Sequence, residues 1–106
     1  MGLADQVAAL KALLRPKLMS LALVADPVSV DRWIADEARP RLEQQQRIRT
    51  AFQIVELLKP VEADPTIRAW FMGANPQLGD RSSAESIAES ELGAVLAAAR
   101  AFRVGG

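Results

Sequence analysis

Apolar residues recur at helical spacing from one end of this chain to the other, and six prolines cut that pattern into short lengths. The combination leaves room for little but a bundle of short helices. Leu3, Val7, Leu10 and Leu14 are spaced by four, three and four residues, one face of an amphipathic helix that Pro16 ends. A second short helix carries Leu18, Leu21, Ala22 and Ala25 inward. Asp26-Pro27 reads as an N-cap followed by proline at the first helical position, where the missing N–H is not needed. A third helix turns Val30, Trp33 and Ile34 inward. Pro40 opens the longest helix, whose stripe is Ile48, Phe52, Val55 and Leu58 with Ala51 and Ile54 beside it; Pro60 stops it. Asp64-Pro65 is a second start signal, leading into Ile67, Trp70 and Phe71. Gly73, Asn75-Pro76 and Gly79-Asp80 concentrate turn residues between Met72 and Arg81. Ser82 and Glu85 have capping-box spacing for a short helix near Ser82–Glu89. Ser90 is placed to cap a last helix, whose face is Leu92, Val95, Leu96, Ala99 and Phe102. No stretch alternates with period two over a useful length. The expectation is an all-α fold, a small multi-helix bundle of seven helices.

At 106 residues the chain suits one domain, or two small helical modules sharing a core. Half the residues are apolar and a quarter are charged, ordinary for a folded protein. The longest apolar run, Leu18 to Ala25, is interrupted by Ser20 and is far too short to cross a bilayer. The N-terminal MGLADQ lacks a basic segment followed by an apolar one, so no signal peptide is expected. Cysteine is absent, which excludes disulfides and thiolate chemistry. The expected location is cytoplasmic, without membrane contact. Histidine is absent too, removing the commonest general base and metal ligand together. The serines have no base, and no lysine or carboxylate has a nucleophile partner at a recognisable spacing. The expectation is therefore no catalytic residue, no metal and no cofactor; Glu85, Glu89 and Glu91 read as a solvated helix face. Thirteen basic residues balance thirteen acidic ones. Any DNA binding must come from a local basic patch, not from a global field.

Helix two, the Asp26-Pro27 turn and helix three have the lengths of a helix-turn-helix. The segment ADPVSVDRWIADEARP, Ala25 to Pro40, resembles the Xre-type pattern in which a Ser-Val-x-Arg-Trp core begins the recognition helix. The resemblance implies that Trp33 anchors the core, while Val28, Ser29 and Arg32 face a DNA groove with Asp31 close by. Arg15 and Lys17 near the start of helix two, and Arg39 and Arg41 beyond helix three, are the candidate phosphate contacts. Of the groove-facing residues, Arg32 alone can make a bidentate guanine contact. Asp26, Asp31, Asp36 and Glu37 surround this helix, and each carboxylate near a phosphate opposes the gain from counterion release. Asp36 stands where the pattern usually has a glycine closing helix three in a left-handed conformation, which Asp tolerates less well. The other reading of the segment is a scaffold that keeps the helix-turn-helix shape with weak or no DNA affinity.

Further along come Trp70, Asn75-Pro76-Gln77-Leu78, Arg81, Ala84-Glu85 and Val95-Leu96. In order and spacing they resemble the toxin-binding domain of the Xre/MbcA/ParS antitoxins. Ser83 stands where that family often has proline, and Ser86 where it often has leucine. With the helix-turn-helix, the resemblance covers most of the chain and implies two parts: residues 1–60, an Xre-like domain that includes the long helix, and 61–106, the toxin-binding module. It implies an antitoxin that sterically blocks a RES-type or related ADP-ribosyltransferase-like toxin, which consumes NAD, and that can also repress its own operon. The candidate toxin contacts are the rim Asn75, Gln77, Asp80 and Arg81, and the end Phe102, Arg103 and Val104. In the family the C-terminal end reaches the toxin's active site; the plain reading of Phe102 to Gly106 is a short, frayed terminus. Trp70, Phe71, Leu92, Val95 and Phe102 themselves read as core. The apolar surplus fits an obligate partner or a homodimer or higher oligomer. Ile54 and Leu57 on helix four are the candidate self-association surface, or else a wide core face. The alternative function is a stand-alone helix-turn-helix transcriptional regulator without a toxin.

Overall fold

Short helices hold their shape only when their ends are satisfied, and most of the ends between α1 and α6 have an identifiable device. A computed structural model describes residues 1–105. Its helices are α1 (Leu3–Leu14), α2 (Pro16–Leu23), α3 (Pro27–Ile34), α4 (Leu42–Leu58), α5 (Asp64–Met72), α6 (Ser83–Ala88) and α7 (Leu92–Gly105), with a 3-10 turn at Pro76–Leu78 before α6. Among the described residues the one β-type pairing is a single bridge, Ala74 to Ser82. The fold is all-α.

The Asp26 carboxylate accepts the Ser29 N–H at 2.7 Å, and Pro27 takes the first position of α3. At α6 the capping box closes in both directions: Ser82 Oγ accepts the Glu85 N–H and Glu85 Oε1 accepts the Ser82 N–H, each at 3.0 Å. The Gln44-Gln45 pair folds back on the start of α4. Gln44 Oε1 accepts the Arg41 N–H, and Gln45 Nε2 donates to the Pro40 carbonyl. Three helices close through a left-handed residue, Val24, Asp36 or Ser90, and none of these is glycine. The next N–H in each case bonds back five residues, Ala25 to Ser20, Glu37 to Arg32 and Glu91 to Ser86. Asp36 thus adopts the conformation for which the Xre-type pattern uses glycine.

The core runs through both halves of the chain without a break. α1 packs on α3 and α4, α2 packs chiefly on α6, and α4 packs on α7. Val7, Leu10, Met19, Ile48, Leu58, Ile67, Phe71, Ile87 and Val95 form one apolar cluster with almost no solvent contact. The radius of gyration is 12.8 Å, matching the ~13 Å of a compact domain of this length. Residues 1–60 and 61–105 therefore share a core.

Four expectations differ from the structure. On α2, Leu18, Ala22 and the Ala25 that follows the helix pack on the core as expected, but Leu21 is 50% exposed and Met19 and Leu23 are buried instead. This helix is apolar nearly all round, so its own spacing does not choose a face; packing on α6 does. Ile54 has no exposure and Leu57 is half-buried against the core. The second apolar row of α4 is thus a wide core face, not a self-association surface. Ser90 does not cap α7, which begins at Leu92; it forms the left-handed turn after α6, and its hydroxyl accepts a bond from Arg47. Phe102, Arg103 and Val104 belong to α7, which continues through Gly105, where a short tail was expected; Gly106 lies outside the described residues.

Candidate functional site

The segment expected to be a helix-turn-helix consists of α2, the Val24–Asp26 turn and α3. Val30 and Trp33 are sunk into the core at 3% and 6% exposure, which fixes the opposite face of α3 outward. Val28 and Arg32 are exposed there, one helical turn apart, and Ser29 is half-buried with its N–H taken by Asp26. That bond, with help from the Ser29 hydroxyl, holds the Asp26 carboxyl below its ordinary pKa. Asp31 pairs with Lys11 of α1, Nζ to Oδ1 2.6 Å. Lys17 is exposed in the first turn of α2. Arg15 joins α1 to α2 with φ 72 and ψ 162, a region nearly reserved for glycine. The side chain is exposed.

The two later arginines do not extend this surface as one stripe. Arg39 lines a cavity of about 270 Å³ with Trp33, Asp36 and the start of α1. Arg41 lines a separate groove with Val24, Glu43, Gln44 and Arg47. Gln44 Nε2 closes that groove by donating to the Val24 carbonyl at 3.3 Å. Arg41 therefore stands beside the end of α2, and Arg39 on the α1 side of α3.

The second candidate surface is the turn from Asn75 to Arg81. Asn75 is extended (φ −124, ψ 117), as the residue before a proline must be. Its side-chain oxygen accepts the Gln77 N–H at 2.9 Å, and its carbonyl accepts from Leu78 and Asp80. Leu78, 4% exposed, plugs the core beneath, and Gly79 and Asp80 both turn left-handed. Gln77 and Asp80 are exposed on this rigid loop. Arg81 is not: it is half-buried, its Nε donates to the Leu78 carbonyl, and its guanidinium pairs with Glu89 and Glu91. Asn75 and Arg81 are thus committed internally, leaving Gln77 and Asp80 as the free rim.

The Phe102 ring packs on Trp70 (centroids 6.1 Å apart), which meets Phe71 edge-on at 5.5 Å. Trp70, Leu92 and Phe102 are half-buried against the core that encloses Phe71 and Val95. Arg103 and Val104 are exposed, Val104 at 88%. Glu91, which Arg81 grips, precedes α7, and Phe102 lies about 16 Å farther along at helical rise. The rim turn, through its 3-10 segment, and the helix end are both carried on α7.

Two arginines that matter to the geometry carry no signal in the sequence. Arg47 of α4 donates from Nε to the Ile87 carbonyl and from Nη2 to the Ala88 carbonyl and Ser90 Oγ, closing the end of α6. Arg68 of α5 donates to the Leu13 carbonyl at 2.9 Å, closing the end of α1. Their acceptors, main-chain carbonyls and the Ser90 hydroxyl, lie at least forty residues away, which no local pattern reports. Among the described residues no helix is long and apolar enough to cross a membrane. The chain matches no protein-family model, no curated protein and no solved structure.

Proposed function

We propose that the chain is the antitoxin of a type II toxin–antitoxin pair, which binds and sterically occludes a RES-type or related ADP-ribosyltransferase-like toxin that consumes NAD. The observation that carries the reading is the division of labour in the segment from Trp70 to Val104. Trp70, Phe71, Leu78 and Val95 build a core, Asn75-Pro76 and Ser82–Glu85 fix the turns, and Arg81 ties the rim to the start of α7. What remains outward is a rigid rim, Gln77 and Asp80, and a helical end, Arg103 and Val104. These are the positions at which the antitoxin resemblance calls for toxin contacts. The chain would act by occupying space, with no chemistry of its own.

Co-expression with a RES-type toxin tests this. The expected result is a stable co-purifying complex and restored growth. Removing the residues after Phe102 leaves the Trp70–Phe102 packing in place and should weaken inhibition. A panel of such toxins that neither binds nor is neutralised would overturn the reading, and full inhibition by the truncated chain would remove the helix end from it.

A second reading, compatible with the first, is DNA binding by the α2–α3 unit, as an autorepressor or as a stand-alone regulator. It is favoured by one observation: α3 presents Val28 and Arg32 outward while the Asp26 carboxylate is turned into its own helix cap. Helix-turn-helix proteins commonly read paired half-sites as dimers, so a homodimer is part of this reading. Binding to the DNA upstream of its own gene should weaken steeply with salt; no binding at low salt would remove the role.

A further inference from the structure

The acidic residues around α3 are not equivalent. Asp26 is spent on the cap, and Asp36 and Glu37 lie past the helix end. Asp31 alone stands beside the outward face, about 60° round the helix from Val28 at 100° per residue. Left free, its carboxylate would sit well within a Debye length, about 8 Å, of any phosphate backbone that the face approached. It is not free. Lys11 reaches across from α1 and places Nζ 2.6 Å from Oδ1. Lys11 lies outside the helix-turn-helix itself, twenty residues before its partner. Both side chains keep substantial solvent contact, 38% and 58%. Exposed pairs of this kind add little stability. What the pair changes is the charge that α3 shows: with Asp31 cancelled, the charges left on that side are Arg32 and, at the helix start, the Asp26 carboxylate held in the cap.

We propose that Lys11 is a charge mask for the reading helix: by pairing with Asp31 it lets a face flanked by carboxylates approach DNA. The proposal deepens the DNA-binding reading and rests on it. Lys11 is a positioning residue that acts through Asp31, and this separates it from a lysine that touches phosphate itself and from a simple tie between α1 and α3.

The test is a double-mutant cycle on the full chain, with Lys11→Gln, Asp31→Asn and the two combined. The ligand is a random-sequence DNA duplex, titrated from about 50 to about 200 mM salt. Lys11→Gln should weaken binding roughly three- to tenfold at the low-salt end. Asp31→Asn should leave binding intact or tighten it, and Lys11→Gln should cost nothing in the Asp31→Asn background. Lys11→Arg, which keeps the charge, should bind like the parent. Equal losses from Lys11→Gln in both backgrounds, with a salt slope lower by about one, would mean direct phosphate contact and overturn the mask. A loss caused by Asp31→Asn alone would mean a structural tie and overturn it too. If the parent chain binds no duplex at low salt, the mask and the DNA reading fall together; if it binds and the cycle is additive, only the mask falls.

Discussion

Val24 joins a β-branched side chain to a left-handed backbone. It closes α2 at φ 53 and ψ 55, where a β-branched side chain crowds its own main chain. Its side chain is 53% exposed, so packing returns little for that strain. Val24→Gly should raise stability by about 1 kcal/mol, the left-handed penalty less the extra freedom glycine gives the unfolded chain. The measurement is the urea midpoint, which should rise with an unchanged slope. A fall would show that side-chain contacts outweigh the strain. Ser86 is a different mismatch. It is fully buried on α6, and its hydroxyl has no hydrogen-bond partner. Ser86→Ala removes the orphaned group with almost no change of shape and should stabilise by about 1 kcal/mol. A loss of stability would mean that the hydroxyl is bonded to buried water. The sequence marks Ser86 as odd, standing where the resembled pattern has leucine. That the oddity is buried against other helices is visible only in three dimensions.

Helix starts were legible in the sequence because they are local. Asp26-Pro27 and the Ser82–Glu85 spacing each contain donor and acceptor within four residues, and both caps form. The inward face of α2, the role of Ser90 and the caps supplied by Arg47 and Arg68 were not legible. Each depends on which other helix lies alongside. The candidate sites divide in the same way: the exposure of Val28 and Arg32 follows from helical phase, whereas Arg81's commitment to Glu89 and Glu91 depends on how the α6–α7 turn folds back. The caps have a pH signature. Backbone hydrogen bonds from Ser29 and Ser82 lower the carboxyl pKa values of Asp26 and Glu85. A carboxylate with a folded pKa below its unfolded one stabilises fully above the unfolded value, and that contribution is lost as pH falls through the folded value. Stability should therefore decline once pH enters the ordinary carboxylate range, near 4. Glu85→Gln keeps an acceptor for the Ser82 N–H without titrating, so its acid decline should be shallower than the parent's in chemical denaturation at stepped pH. An identical acid limb would rule Glu85 out as a contributor. Arg47→Lys cannot span three acceptors from one planar group and should cost about 1–2 kcal/mol. Equal stability would mean that the end of α6 is satisfied by other means.

At the scale of the whole molecule, the two regions named by the family resemblance share one apolar core. α2 rests on α6, α4 on α7, and Arg47 and Arg68 each tie a helix of one region to a helix end of the other. A chain of this length has little apolar interior to divide between independent cores. The shared core also bears on the proposed function: a partner seated on the rim and the end of α7 would stabilise α4 through α7 and α2, the first helix of the proposed DNA-binding unit, through α6. The chain holds a reporter for each region, Trp33 in α3 and Trp70 in α5, and no other tryptophan. Trp33→Phe leaves the signal of the C-terminal region, and Trp70→Phe leaves that of the N-terminal one. Either variant can shift the midpoint by changing its own contacts, so each fluorescence curve is compared with far-ultraviolet circular dichroism of the same variant. In both variants the two curves should superimpose as one cooperative transition. If fluorescence and circular dichroism separate in either variant, the halves unfold independently, and a partner bound at one end could not be felt at the other through the core.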